Sequence, residues 1–344
     1  MTGLPSQLSQ ARAPLALALL CGAFLLLGAC GVALGSTWIP LEQVVSVILG
    51  AGEKTERLIV LQLRLPRVVI AALAGGGMAV AGFLLQKITR NALASPGVLG
   101  VIDGAALGVV IFLAALSNES NALVTSIAYQ PLAAMVGAVL GIGMVFFLSG
   151  RQSTSAVRLL LFGIAVAAVF KALVMVMMLI GPIYRTSQAA RWIAGAVNEI
   201  NWSEIQVTLL MLLPLLVLTF FAARRLPPAD LDEVSARSVG LDLPIFRVAI
   251  FALAAGLTAV SVAFVGGVGF IGLMAPHLAR LVVGRNVYAG LLGSFLLGAA
   301  MLVGADLIVR VLFSPVEVPA GTVTAVIGAP YFLFLLMSRQ RHDG

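Results

Sequence analysis

Residues 61–86 read LQLRLPRVVIAALAGGGMAVAGFLLQ, and this stretch decides the fold. From Pro66 to Gln86 the only charge is Arg67. A continuously apolar run of this length crosses the hydrocarbon layer as a helix of about 20 residues. A membrane barrel strand would instead alternate polar and apolar positions over about ten residues. Two cations, Arg64 and Arg67, straddle Pro66 at the head of the run, where proline suits a first helical turn.

Working outward, nine further apolar stretches repeat the pattern. Together the ten cover roughly 15–35, 66–86, 93–115, 129–149, 157–181, 205–223, 247–265, 269–283, 287–313 and 320–337, of which 269–283 is short. The composition agrees: 61% of the 344 residues are hydrophobic and 10% charged, with a mean hydropathy of +1.10, more apolar surface than a soluble core absorbs. The expected fold class is an all-α polytopic membrane protein, one domain over 1–344 with about ten transmembrane helices. Ten crossings put both termini on one side.

The net charge of +7 would point to nucleic acid in a soluble protein; here topology accounts for it. With the termini in the cytoplasm, thirteen cations fall inside: Arg12, Lys87, Arg90, Arg151, Arg158, Arg224, Arg225, Arg237, Arg247, Arg280, Arg285, Arg339 and Arg341. Seven fall outside: Lys54, Arg57, Arg64, Arg67, Arg185, Arg191 and Arg310. The positive-inside bias thus favours cytoplasmic termini, and it makes Arg64 and Arg67 more conspicuous because they lie on the depleted side.

Cys21 and Cys30, nine residues apart on one helix, face opposite ways and cannot pair; both read as small buried hydrophobes. The LLLGACG around Cys30 has the look of a lipoprotein cleavage site, yet the apolar pattern continues through nine more segments. Glycines cluster inside the apolar runs, at 75–77 and 82 and at 137, 141 and 143, where small residues let helix backbones approach. Gly266, Gly267, Gly269, Gly272 and Pro276 break the helical rhythm of VGGVGFIGLMAPHLAR, and Pro319 with Pro330 brackets another short or broken helix. Such irregular backbone is tolerated at membrane depth only where protein or a water cavity covers it.

The longest polar loop, 224–247, reads RRLPPADLDEVSARSVGLDLPIFR. Asp230 or Asp232 can cap a short helix through EVSARSV, Gly240 can end it, and Asp242 with Pro244 can start another. The expectation is two short helices joined at a glycine.

Several chemistries are missing. There is no phosphate-cradling G-x-x-x-x-G-K-[ST] loop and no H-E-x-x-H. The two histidines, His277 and His342, lie far apart and form no metal cluster with the cysteines. No nucleophile, metal or cofactor site emerges, so the chain is not expected to be an enzyme. His277 reads as a hydrogen-bonded helix-end residue with a proton relay as the alternative. Lys171 is costly in the middle of a crossing unless it faces a cavity or partner; it is either a packed, paired or snorkelling lysine or part of a translocation path, and is expected to face the bundle interior. Asp306 and Arg310, four apart in acid-first order, form a pair on one helix face, which can turn Arg310 toward the outer surface where Arg64 and Arg67 emerge.

Five motifs, in order, resemble one family. These are RLPR at 64–67, TRNALASPGVLGVIDGAALG at 89–108, FIGLMAPHLAR at 270–280, GADLIVR at 304–310 and EVPAGTVTAVIGAP at 317–330. The chain resembles, from about Leu61 to Met337, the FecCD or BtuC-like ten-helix permeases of bacterial ABC importers for ferric siderophores, haem and cobalamin. Ala92 and Gly267 depart from its usual prolines, and Lys171 matches no motif of it.

The resemblance implies a type II importer permease fold in the bacterial cytoplasmic (inner) membrane. It further implies an ABC ATPase subunit, an extracytoplasmic substrate-binding protein and a second permease copy, identical or paralogous, as partners within membrane lipid. The binding protein's acidic lobes would dock on Arg64, Arg67 and Arg310, and the ATPase groove would receive the 224–247 loop with Ser235, Ala236, Arg237, Gly240 and Leu241 at the coupling positions. Siderophore is the leading cargo, with cobalamin or haem as alternatives. An ion-coupled secondary transporter would call for intramembrane acids beyond Asp103 and Asp306 and for inverted repeats.

Overall fold

The computed structural model describes residues 5–340 apart from 36, 118–122, 151–155, 182, 198–199, 315 and 317. Arg151, Arg341 and His342 lie outside the described residues. The helices are α1 (Pro5–Ala33), α2 (Leu41–Ile48), α3 (Lys54–Arg57), α4 (Leu65–Ile88), α5 (Val101–Ala115), α6 (Gln130–Ser149), α7 (Ala156–Ile180), α8 (Ile183–Ile193), α9 (Trp202–Ala222), α10 (Glu233–Ser238), α11 (Leu243–Val265), α12 (Ile271–Val283), α13 (Val287–Leu312) and α14 (Ala320–Gln340). All ten expected membrane segments are present as α1, α4, α5, α6, α7, α9, α11, α12, α13 and α14. Among the described residues, seven spans are long and apolar enough to cross a membrane, and α5, α12 and the apolar part of α14 are shorter apolar helices.

The bundle is organised around α4, which is buried along most of its length and packs against α13, α11, α12 and α9. With lipid supplying no hydrophobic drive between helices, close backbone approach does the work. A methyl on Gly75 of α4 would strike the Gly298 carbonyl of α13, and one on Gly298 would strike the Gly75 carbonyl. Gly104 of α5 and Gly137 of α6 stand in the same reciprocal relation. Gly143, in contrast, has open space where a Cβ would go and is not a packing glycine.

Several expectations change. The RLPR stretch does not open a helix, because helical backbone runs without interruption from Lys54 to Ile88. Leu58–Arg64 is wound as a π-helix, with the Leu65 N–H donating to Val60 five residues back. Pro66 has no N–H to give and its ring crowds the carbonyl four residues earlier, so a widened turn just before it lets the helix continue.

The third segment starts late. Pro96–Leu99 is a 3-10 turn and Gly100 adopts a left-handed φ of 72°, leaving α5 only 15 residues. α14 runs through Pro330 as one helix. The irregular segment after α11 is present, with Gly266 at φ 78° and Phe270 at φ 64°, and its Gly267 N–H donates to the Trp192 carbonyl in the last turn of α8. Both cysteines are free, but Cys21 is exposed and Cys30 half-buried, because α1 sits at the rim with much of its surface uncovered.

Candidate functional site

Where α1 stops, its last carbonyls have no helical partner. Arg64 meets these carbonyls. It is 6% exposed, and its guanidinium donates to the carbonyls of Val32 at 3.0 Å, Ala33 at 2.8 Å and Thr37 at 2.6 Å, and to the Thr37 hydroxyl at 3.1 Å. Arg310, reaching from α13, donates Nη2 to the Gly31 carbonyl at 2.8 Å. Two cations therefore cap the negative end of α1.

Arg67 faces α13 instead. Its Nε and Nη2 fork onto Asp306 at 2.7–3.0 Å, while Arg310 Nε lies 3.1 Å from the other carboxylate oxygen. The Asp306–Arg310 pair expected from the i,i+4 spacing is present; the Arg67 fork across 239 positions was not visible in the local spacing. The Asp306 side chain is 3% exposed, that of Arg310 13% and that of Arg67 24%. Arg64 and Arg67 thus separate, the first turned inward to α1 and the second bridging to α13 at the more open edge. The cluster itself carries three cations against one acid.

Lys171 lies well inside the 25-residue α7, 3.8 Å from Asp103 of α5. Its side chain is 70% exposed whereas that of Asp103 is 13% exposed. The expectation that it faces the interior of this chain's own bundle is corrected: it stands on the outer face of α7, tethered by a carboxylate that α5 holds in place.

At the opposite end from the α1 stop, α10 has both of its ends capped. Asp232 accepts the Ser235 N–H at 3.0 Å, and hydrogen bonding from Ser235, side chain before backbone, holds the Asp232 carboxyl below its ordinary value. After α10 the Gly240 N–H donates to Arg237 and the Leu241 N–H to Ala236, both at 2.9 Å, closing the helix in a Schellman turn with Gly240 at φ 80°. Asp242 then caps α11 through the Ile245 N–H. The second expected short helix is therefore the start of the long α11, because nothing after Pro244 interrupts it.

Of the coupling candidates, Ala236 and Leu241 are buried and hold the turn, Ser235 is half-buried, and Arg237 and Gly240 are exposed. Arg237 pairs with Glu233 at 3.3 Å. The turn also presents Val234 at 80% and Val239 at 60% exposure, two apolar knobs passed over in the sequence because they fit an ordinary helix face. Lys87 to Asp230 at 3.5 Å and Arg90 to the carbonyls of Ala229 and Leu231 tie the loop to the end of α4. His277 stands edge-on to Tyr331 with ring centroids 6.0 Å apart.

Comparison with known proteins adds the wider context. Residues 10–338 match the model of the FecCD transport family. CbrC, the achromobactin transport system permease protein of Dickeya dadantii (strain 3937), is 39% identical over 288 residues, covering 83% of this chain and 80% of CbrC. HmuU, the hemin transport system permease protein of Yersinia pestis, is 36% identical over 291 residues, covering 82% of this chain and 84% of HmuU. A solved chain of a metal-chelate type ABC transporter in an inward-facing conformation superposes with a TM-score of 0.83 at 27% identity, covering 94% of this chain and 99% of that one.

Proposed function

Because this chain belongs to the FecCD transport family of inner-membrane ABC importer permeases, we propose that it forms, with a second permease copy, the path by which a ferric siderophore enters the cell. The chain is a transport component rather than an enzyme, working with an ATPase and a substrate-binding protein. In this reading the α10 end and both termini face the cytoplasm, in keeping with the positive-inside count.

The observation that carries the path is Lys171. A lysine far inside a membrane helix, 70% exposed, cannot face hydrocarbon cheaply; the face of α7 that bears it lines water, and a second copy opposite would enclose that water. The Asp103 tether keeps the ammonium from snorkelling. The cargo follows the siderophore-type relative, with haem second because a hemin permease is nearly as similar.

Docking of the binding protein falls to Arg67, the most open of the three arginines, with Arg64 and Arg310 supplying field from behind while they hold α1. Charge at such a surface steers and orients a partner more than it tightens the complex. ATPase coupling falls to the α10 turn: Ser235, Arg237 and Gly240 on the outside, Ala236 and Leu241 holding its shape.

The path is tested with Lys171→Cys in a background carrying Cys21→Ser and Cys30→Ser. A small water-soluble thiol reagent is expected to label the cysteine in at least one state of the ATP cycle. Protection in every state would remove Lys171 from the path.

A further inference from the structure

At the turn from α12 into α13 lie Arg280 and Arg285, two charged groups that neither the path nor the coupling turn uses. A cavity of about 490 Å³ is lined by Lys87, Asp230, Arg280, Arg285 and Asn286 among others. Lys87 is engaged by Asp230, but no ion pair within the described residues neutralises Arg280 or Arg285. Asn286 caps the 26-residue α13 through the Ala289 N–H, so the positive end of that helix opens toward the same cavity.

Arg285 and Asn286 also border a second cavity, of about 700 Å³, that continues along the seam between α1 and α13 past Pro14, Leu17, Tyr288 and Leu292. The first cavity gathers three basic side chains, the second is bordered by Ala13, Pro14, Leu17 and Leu292, and Arg285 and Asn286 line both. Tyr288, 38% exposed, is the kind of aromatic residue that settles at the membrane–water boundary.

We propose that these joined cavities bind an anionic phospholipid, its phosphate held by Arg280 and Arg285 at the start of α13 and one acyl chain lying in the α1–α13 seam. Basic pockets between helices at a membrane surface are suited to anionic headgroups. A free phosphate would use the first cavity and leave the apolar seam without a role. Arg64 and Arg310 cap the far end of α1, and the lipid would secure its near end.

The test uses the full chain, delipidated in detergent. Phosphatidylglycerol is expected to raise its thermal midpoint, phosphatidylcholine and inorganic phosphate at the same concentration are not, and the Arg280→Gln, Arg285→Gln double variant should need roughly tenfold more phosphatidylglycerol for the same effect. A photoactivatable phosphatidylglycerol, applied to the unaltered protein so that the result does not depend on how the variant folds, should mark peptides containing Leu17 and Leu292. An equal response to inorganic phosphate would overturn the lipid assignment, as would an unchanged response in the double variant or labelling spread without enrichment at the seam. Arginine-dependent assembly with the ATPase but no dependence on lipid would assign the cavity to the protein partner and overturn the proposal equally.

Discussion

Where α1 stops, Arg64, Asp306 and Arg310 are nearly withdrawn from solvent and bonded to one another or to backbone carbonyls; at the α10 end, Asp232, Glu233 and Arg237 stand exposed around a helix of six residues. The first region uses charge to join three helices that are far apart in sequence. The second uses it locally, to start and stop a turn whose outer surface stays open for a partner. Charge count alone does not distinguish a docking surface from an internal tie; the partners of each group do.

The largest expected effect comes from cutting the internal tie. Asp306→Ala leaves Arg67 and Arg310 facing each other without their shared carboxylate, and breaking a buried ion pair in this way costs about 3–5 kcal/mol. The variant should show a clearly lowered thermal midpoint in detergent and lose uptake with it. An unchanged midpoint would mean that this end is not held by charge.

Gly240→Val attacks the opposite region. A β-branched residue at φ 80° strains the turn by about 1–2 kcal/mol, too little to prevent insertion. Uptake should fall while the ATPase subunit still associates and hydrolyses ATP. Full transport would show that the turn does not couple.

Docking at Arg67 is better probed from the partner, because changing Arg67 or Arg64 also breaks the ties to α13 and α1. Replacing acidic residues on the binding protein's lobes by neutral ones should slow its association and flatten the salt dependence of docking, leaving the permease's own stability untouched. Equal rates and equal salt dependence would confine the three arginines to the internal role.

The smallest effect concerns the Asp232 cap. Its folded value is lowered, so its contribution is fully present above the ordinary carboxylate range near 3.9 and is lost as pH falls through the folded value. Asp232→Asn, which retains a capping oxygen, should keep the turn folded under acid conditions where the parent frays. Identical acid sensitivity in hydrogen exchange at Ser235 would contradict the cap's role.

The ten spans and the α10 turn were legible in the sequence because they rest on local signals: apolar run length, an aspartate before a short helix, a glycine after it. The inward turn of Arg64 was not, since its partners at 32, 33 and 37 come from the end of α1 and the loop after it and nothing in RLPR marks them. The π-helix before Pro66 was equally hidden, and the polar α8 carries no apolar run to announce it. Lys171 stands out in the sequence as a costly residue, but its position on the outer face of α7 depends on which sides of the bundle neighbours cover.

The most direct test of the account is uptake by proteoliposomes holding this permease, its ATPase and its binding protein, offered labelled ferric siderophores, haem and cobalamin in turn. The account predicts uptake of a ferric siderophore that requires both ATP and the binding protein and persists without any ion gradient. Uptake driven by an ion gradient in the absence of ATP would contradict it.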